Sequence, residues 1–505
     1  MKKVNLDAMI LREDFSIDSG YTATNRFKQI NISDLKIDSV FRHTIRKPDF
    51  QRETRDWDVN QIVNFLKSII NRHFIPAVIL WQNAHALTFV IDGAHRISAL
   101  MAWVNDDYGD GQLSANFFNN QISEEQKTIA KATRLKINKE IGPFTSYMDA
   151  IVSPQKYTEE FRRLALALNS FSFDIQWIEG DVSVAEQSFF NINQKAVPIS
   201  PTEIAILQGR NKANCIATRA ITYAGNGNKY WNKFETNVQE QIEKLSKEIN
   251  DLLFLPPLHT PISTLDVAIA GKNQNNLSFN FDLVNYSSNK TFQNDETDGT
   301  ETLEVLKNLK KLLQILNSNE ECSLGLHPMI YFYSRKGNFK PAMFYAVFLF
   351  VKLLREKNKF NLFIKHRMSF ENFIYEYDFV FDQINRNLRT SKKSATVVSS
   401  LLLQIIVELE EGKTIEQILE NIKSSYNVLI EQPEEDLEIQ ENSKLKSETF
   451  ISSALPNAIK CSICGGLIHT NSISMDHIIR KREGGDNNAT NVQITHPYCN
   501  TGYKS

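Results

Sequence analysis

The sequence is poor in cysteine and carries no excess of either charge. Only five cysteines occur in 505 residues, and three of them lie after residue 460. Such sparse usage excludes a disulfide framework and is typical of metal binding in a reducing compartment. The formal net charge is -2, so the chain lacks the overall basicity of many nucleic-acid-binding proteins. Any contact with nucleic acid must therefore be local.

Long hydrophobic segments are also missing. The most apolar run, residues 342–351, falls well short of the ~20 residues needed to cross a bilayer. We interpret it as a buried helix and expect no membrane partner. The first residues carry charges but lack the apolar core and small-residue cleavage site of a secretory signal. Together these features predict a cytoplasmic protein.

The C-terminal end of the sequence contains two closely spaced pairs of soft ligands. One pair is Cys461-x-x-Cys464, and the other is His496-x-x-Cys499. Thiolate and imidazole donors in a closed tetrahedral site select zinc, and such a zinc can fold a module too small for its own core. The pairs therefore predict a structural Zn²⁺ site.

Residues of a different chemistry accompany these pairs. Asp476 and the side-chain carbonyl of Asn500 are hard oxygen donors, suited to a Mg²⁺ or Mn²⁺ that keeps open positions for phosphate oxygens. His477 is assigned as the general base that takes a proton from an attacking water. A zinc ribbon without catalysis is the alternative, but a ribbon alone does not require an Asp-His dipeptide between the pairs.

This segment resembles an HNH endonuclease, which implies that the chain cuts nucleic acid. In that family the residues matching Asp476 and Asn500 bind the catalytic metal, and the residue matching His477 activates water. The resemblance also implies that Asn491 steadies the loop bearing the histidine. Lys504 fits the family's Asn-x-x-x-Lys ending.

Basic residues follow the predicted catalytic histidine. Arg480, Lys481 and Arg482, with Lys504 further on, are predicted to contact the DNA backbone without reading sequence. A solvated loop is the alternative for such a charge run. His496 stands where many HNH members have cysteine, which preserves the capacity for zinc.

A second candidate site is the motif DGAHR, where a predicted strand ends and a predicted helix begins. Gly93 permits a ligand to approach the backbone closely. Arg96 and Arg52 could each form paired hydrogen bonds with a phosphate at the helix N-terminus. Asp92 could hold a metal or orient a water, while His95 could bond to phosphate or transfer a proton. An Asp-Arg pair with a purely structural role is the alternative.

The DGAHR motif resembles the signature of ParB/sulfiredoxin-like domains, which include the N-terminal part of GmrSD-type modification-dependent restriction proteins and regulators of DNA phosphorothioation. Flanking blocks near residues 50–57 and 190–203 occur in the same order as in that family. The resemblance implies nucleotide hydrolysis or recognition of modified DNA, with a nucleoside triphosphate as cofactor. Ala94 departs from the usual glutamine.

We predict an α+β multidomain chain. The expected domains are a ParB/sulfiredoxin-like sensor or nucleotide-binding domain (1–225), a largely α-helical domain (226–430), an acidic linker (431–455) and a zinc-pinned ββα-metal HNH module (456–505). Leucine-rich periodic segments at 236–254, 302–317, 341–357 and 394–411 support the helical middle.

The predicted function is antiphage or modification-dependent restriction. The N-terminal domain would sense a nucleotide or modified DNA, and the HNH module would nick or cleave DNA. The alternative is a DNA-modification regulator or NTPase in which the module is mainly a zinc-pinned DNA-binding platform. One module has one strand-cutting centre, so a double-strand break requires either two protomers, in a homo-oligomer, or successive nicks.

Overall fold

A computed structural model of the chain describes residues 3–13, 27–48, 57–83, 86–118, 122, 124–196, 201–226, 230–259, 261–271, 277–388, 391–428 and 442–504. The chain forms two compact units. The N-terminal unit comprises residues 1–210 with 226–228, and the C-terminal unit comprises residues 211–225 and 229–505. The predicted division into four domains stays a prediction. Every helix in the described ranges is too short or too polar to span a bilayer.

The N-terminal unit is built on a mixed sheet, whose order over the described residues is β1-β3-β5-β4-β6-β2. Its strands are β1 (Leu11–Glu13), β2 (Gln29–Asn31), β3 (Ile45–Pro48), β4 (Val78–Gln82), β5 (Thr88–Asp92) and β6 (Ser172–Trp177). Strands β4 and β5 are antiparallel, whereas β5 runs parallel to β3 and β4 runs parallel to β6. Buried side chains on β4 and β5 join the core beneath the helices.

Helices surround this sheet. They are α1 (Val40–Thr44), α2 (Val59–Ile70), α3 (Ala94–Val104), α4 (Gln112–Phe117), α5 (Glu124–Glu140), α6 (Phe144–Val152), α7 (Glu159–Asn169), α8 (Val182–Ala196) and α9 (Pro201–Gln208). Helix α2 begins with a capping box, in which Asp58 accepts from the backbone of Gln61 and the Gln61 side chain bonds back. The predicted strand-to-helix corner is confirmed, since β5 ends at Asp92 and α3 begins at Ala94.

The C-terminal unit contains a set of packed helices, here called the helical body (residues 213–225 and 229–428). Its helices are α10 (Ala213–Thr222), α11 (Thr236–Phe254), α12 (Leu277–Ser287), α13 (Thr300–Leu316), α14 (Pro328–Tyr331), α15 (Pro341–Glu356), α16 (Phe360–Glu376), α17 (Asp378–Leu388), α18 (Ser391–Glu410) and α19 (Ile415–Tyr426). All four leucine-rich segments are helices, as predicted. The apolar run lies in α15, whose side chains are largely buried.

The last part of the same unit, here called the terminal segment (residues 456–505), carries the hairpin β7 (Ser474–His477) and β8 (Val492–Thr495) and a short π-helical turn, Cys499–Tyr503. It shares one hydrophobic core with the helical body. Cys461, Cys464 and Cys499 belong to the same buried cluster as the side chains of α15 and α16.

The predicted acidic linker has two parts. Residues 431–441 lie outside the described residues, while Asn442–Ala454 forms helix α20. That helix packs on the helical body, because Ile451 is buried in the shared core and the Ser447 hydroxyl accepts a hydrogen bond from the Ile262 backbone at 3.0 Å. The second half of the segment is therefore an ordered helix that leads directly into the terminal segment.

Candidate active site

The hairpin β7–β8 positions the predicted acidic ligand. The strands are antiparallel, and Asp476 pairs with Gln493 across them. The Gln493 side chain donates a 2.7 Å hydrogen bond to Asp476 Oδ2, and the Asp476 side chain is largely buried. A carboxylate held by a cross-strand partner has a fixed direction, which suits a metal ligand.

Asn500 is brought to the same strand although it lies in the π-helical turn. Its amide nitrogen donates to Ser474 Oγ at 2.9 Å and to the Met475 carbonyl at 3.2 Å. These bonds use the nitrogen and leave the amide oxygen to act as a ligand. The structure thus attaches Asn500 to the strand that carries Asp476, and the hard oxygen donors of the two residues suit Mg²⁺ or Mn²⁺.

Lys504 lies at this carboxylate. Its Nζ is 2.6 Å from Asp476 Oδ2 and donates to the His477 carbonyl at 2.8 Å. The side chain is only one quarter exposed. The ammonium therefore neutralises the predicted metal ligand.

His477 is half-buried at the end of β7. Its Nε2 lies 3.0 Å from Asn487 Oδ1. Because an amide oxygen only accepts, Nε2 carries the proton in this contact and Nδ1 holds the lone pair that a base needs. Asn487 therefore selects a tautomer in which the imidazole can accept a proton.

The loop after His477 is closed by Asn491. Its side chain accepts from the Ile479 backbone N–H at 2.8 Å and donates to the carbonyls of Ile479 and Asp486. Gly485 sits against the same loop, and a Cβ there would lie 1.9 Å from the Ile479 carbonyl oxygen. Asn491 thus cross-links two ends of the loop that follows His477; that this steadies the histidine stays a prediction.

The basic residues of this loop differ in their surroundings. Lys481 and Arg482 are exposed, whereas Arg480 is half-buried and donates to the Lys504 carbonyl. Lys481 and Arg482 are therefore available to a phosphate backbone beside His477, and Arg480 helps to hold the chain end.

The four soft ligands converge. One ligand atom from each of Cys461, Cys464, His496 and Cys499 lies within 4.8 Å of the other three, and all four residues are buried. His496 Nδ1 is 3.4 Å from the Cys464 sulfur and 4.0 Å from the Cys499 sulfur. Sulfur and nitrogen ligands of tetrahedral zinc lie about 3.5 Å apart, given bonds of about 2.3 and 2.0 Å. The donor set therefore fits zinc.

Local bonds shape this cluster for a metal. His496 Nε2 donates to the Leu467 carbonyl at 3.0 Å, so Nδ1 is the nitrogen that faces the sulfurs. Burial lowers the pKa of His496, which keeps the imidazole neutral. Hydrogen bonds from Cys464 and Cys499 lower the pKa of the Cys461 thiol. A thiolate that other thiols stabilise is a ready ligand, since metal binding requires deprotonated sulfur.

The N-terminal corner has a different character. Gly93 adopts φ +98°, and a Cβ there would lie 2.7 Å from Val78 Cγ1. Arg96 donates to Asp92 Oδ2 at 2.7 Å and also bonds the carbonyls that precede β4. The His95 ring stacks on Trp57 with 5.8 Å between centroids. Arg52, the other predicted phosphate ligand, lies outside the described residues.

Two residues that contact the candidate site were not predicted from sequence. Gln493 holds Asp476, and Asn487 holds His477. A predicted hairpin register would have placed Gln493 opposite Asp476. The Asn487 contact depends on how the loop folds back, for which the sequence offers only a turn signal.

Two segments of the chain match models of known families. Residues 30–207 match the family model of the GmrSD restriction endonuclease N-terminal domain, and residues 461–505 match the model of the HNH endonuclease. The first match includes the DGAHR corner, and the second covers both ligand pairs and the β7–β8 hairpin. No curated protein and no solved structure matches the chain.

Proposed function

Because the chain is a restriction-type nuclease that joins a GmrSD-type N-terminal domain to an HNH endonuclease domain, we propose that Asp476, His477 and Asn500 carry out its DNA cleavage. The observation that carries this proposal is that one strand, β7, connects all three residues. Asp476 and His477 end β7, and the Asn500 amide is bonded to the same strand.

The proposed chemistry is hydrolysis of a phosphodiester bond. Nδ1 of His477 takes the proton from a water that attacks phosphorus, while Asn487 holds the opposite ring nitrogen. A divalent cation held by Asp476 and Asn500 would supply charge stabilisation at the phosphate and at the leaving 3′-oxygen. Asn491 keeps the loop of His477 in place.

Plasmid nicking with Mg²⁺ tests this assignment. His477→Ala should reduce the nicking rate at least about 100-fold, since general-base catalysis contributes 10²–10⁴-fold. His73→Ala is the matched control, because His73 is exposed in the N-terminal unit. Equal nicking by wild type and His477→Ala would remove the histidine from the chemistry and would favour the alternative of a zinc-pinned DNA-binding platform.

We propose that Lys481 and Arg482 bind the DNA backbone. Their exposure beside the candidate site supports the assignment. The contacts of Lys504 with Asp476 and of Arg480 with the Lys504 carbonyl give those two residues a role within the site itself. Replacing both exposed residues by alanine should weaken binding to all sequences alike and reduce the salt dependence by about two counterions. If the dependence of DNA affinity on salt concentration is unchanged, both side chains face solvent and do not contact DNA.

We propose that the N-terminal domain senses modified DNA or a nucleoside triphosphate and thereby controls cleavage; its ParB/sulfiredoxin-like fold belongs to the same proposal. The left-handed Gly93 at the start of α3 supports close approach by an anion. Cleavage of matched modified and unmodified phage-type DNAs, each with and without nucleotide, is the direct test. A rate that is the same in all four reactions would contradict a sensing role.

Nucleotide hydrolysis at the corner has its own test. Asp92→Ala and Arg96→Ala should lower phosphate release if the corner is catalytic. Release equal to that of wild type would leave the Asp92–Arg96 pair with the structural role that its backbone contacts support.

We also propose where the protein acts and how it could cut both DNA strands. A reducing compartment, the cytoplasm, suits the buried thiols of the Cys3His cluster. Double-strand cleavage would proceed through a homo-oligomer or through successive nicks, and the ratio of nicked to linear plasmid at different protein concentrations separates the two.

A further inference from the structure

An arginine of the helical body reaches the Cys3His cluster. Arg367, on helix α16, has no exposed side-chain surface, and its Nη1 lies 3.1 Å from His496 Nδ1. The contact is close on the other side as well, since a Cβ on Gly466 would lie 2.3 Å from Arg367 Nε. The turn after Cys464 therefore has room for the guanidinium only because it carries glycine.

The guanidinium is held rigidly by the helical body. Its Nε donates to Glu371 Oε1 at 2.7 Å, Nη2 donates to the Gly325 carbonyl at 2.9 Å, and Nη1 donates to the Leu324 carbonyl. Tyr331 donates to the same Glu371 oxygen at 3.0 Å. A planar fork fixed by three acceptors cannot move away from the cluster without leaving buried groups unpaired.

Charge gives this contact a specific purpose. Three thiolates around a Zn²⁺ leave a net charge of -1, which is costly to bury without a counter-charge. Burial lowers the pKa of Arg367, but the Glu371 carboxylate, followed by Cys464, raises it above its ordinary value, so the guanidinium keeps its charge although it is buried.

We propose that Arg367 is a positioning residue that stabilises the metal-loaded Cys3His centre, and that metal binding thereby fastens the terminal segment to the helical body. The proposal rests on metal binding at the cluster and not on the assigned roles of the nuclease residues. Asn500 directly follows the ligand Cys499, so the fastened centre also holds the catalytic edge of β7.

Further contacts join the helical body to the terminal segment close to Arg367. The loop that accepts from Arg367 also binds the terminal segment: Ser323 bonds Ser472 at 2.9 Å, and the Ser323 carbonyl accepts from the Tyr498 backbone at 3.0 Å. A Cβ on Gly325 would lie 2.4 Å from the His496 ring. The helical body and the metal centre are thus built against each other.

The experiment compares melting temperatures of the full-length protein with zinc and after chelation. Arg367→Met should remove much of the increase in melting temperature that zinc produces, because the guanidinium offsets the net negative charge of the loaded centre. Arg367→Lys keeps the charge without the fork and should restore part of the increase. Lys365→Met is the control, since Lys365 is an exposed cation on the same helix.

Zinc release to a chromogenic chelator provides a second readout that is independent of nuclease activity. Release from Arg367→Met should be about 10–100-fold faster than from wild type, the range typical of residues that support metal ligands. Release from Lys365→Met should match wild type. A variant that changes only packing would melt earlier with and without zinc by the same amount.

Two results would overturn the proposal. One is an unchanged zinc-dependent increase in Arg367→Met together with an unchanged release rate. The other applies if Arg367→Met fails to fold: Arg367→Lys and Glu371→Gln are then measured instead, and wild-type zinc retention in both would remove the coupling. Loss of nicking with normal zinc retention would concern the catalytic residues alone.

Discussion

Asn491 and Ile479 are joined by two opposed hydrogen bonds. The Ile479 N–H donates to Asn491 Oδ1 at 2.8 Å, and Asn491 Nδ2 donates back to the Ile479 carbonyl at 3.1 Å. The side-chain amide thus replaces a strand partner for a residue that lies just beyond β7. Because His477 is two residues earlier, the geometry of the predicted base depends on this pair.

Removing the pair should loosen the loop. Asn491→Ala deletes three part-buried side-chain hydrogen bonds, each worth about 0.5–1.5 kcal/mol. We expect nicking to fall about tenfold or more and proteolysis within residues 478–490 to become faster. Asn488→Ala is the control, because Asn488 is exposed. Equal activity of the two variants would show that the loop keeps its conformation without the Asn491 side chain.

Two adjacent glycines should respond differently to alanine. Gly485→Ala would place a methyl 1.9 Å from the Ile479 carbonyl oxygen, so the loop must move by a large amount. Gly484→Ala has open space and suffers only from its φ of +91°, about 1–2 kcal/mol. Nicking assays and thermal melts should rank Gly485→Ala well below Gly484→Ala. The reverse order would mean that backbone strain, and not contact, limits this turn.

The Lys504–Asp476 pair predicts a change in metal requirement. The ammonium 2.6 Å from Oδ2 repels a cation that binds the same carboxylate. Lys504→Met should therefore lower the Mg²⁺ concentration for half-maximal nicking roughly 3–10-fold, the factor of about 1 kcal/mol, whatever happens to the maximal rate. Lys446→Met, at an exposed lysine on α20, should leave it unchanged. An increased requirement in Lys504→Met would show that the lysine supports the metal site.

Acid should destabilise the C-terminal unit through buried histidine. Burial, followed by the nearby His469, Arg367 and His496, lowers the pKa of His327 well below its ordinary value of about 6.5. The unfolded state therefore takes up a proton first, and the free energy of unfolding falls as the pH drops below about 6.5.

A conservative variant isolates this contribution. His327→Asn keeps an oxygen acceptor for the Met329 N–H that the His327 ring caps, but it cannot titrate. Its melting temperature should decline less steeply than that of wild type between about pH 6.5 and pH 5. His73→Asn, at an exposed site, should follow the wild-type profile. Parallel curves for His327→Asn and wild type would assign the acid sensitivity to other groups.

The corner of the N-terminal unit predicts a strong glycine requirement. Gly93→Ala combines a φ of +98° with a 2.7 Å approach to Val78 Cγ1, whereas Gly142→Ala has φ +101° and its nearest atom at 3.8 Å. Both lose about 1–2 kcal/mol to strain, and Gly93→Ala should lose about 1–3 kcal/mol more to overpacking. Denaturant unfolding measures both. Equal losses in the free energy of unfolding would show that Val78 on β4 can shift to make room for the added methyl group.

Sequence patterns were most informative where the interacting residues are close in the chain. The Cys461 and Cys464 pair, the four leucine-rich helices and the strand-to-helix corner all follow from spacings of a few residues, and each is present in the structure. The corner's chemistry was less predictable. Arg96 bonds backbone carbonyls that precede β4, and no local pattern announces that contact.

The packing of the terminal segment lay beyond the sequence. An acidic stretch indicated a linker, but Ile451 in α20 and the cysteines of the cluster are buried in the core of the helical body. Which apolar and polar groups meet there depends on how distant segments fold together. The composition of a segment shows its charge, but it does not show which distant residues will pack against it.

By itself, the sequence determined the ligands, since softness and spacing separate Cys461, Cys464, His496 and Cys499 from Asp476 and Asn500. Only the tertiary structure decided their neighbours. Lys504 meets Asp476 from 28 residues away, and Arg367 meets His496 from 129. Contacts at such separations are set by packing of a shared core, because the chain between them imposes no local geometry on the side chains that meet.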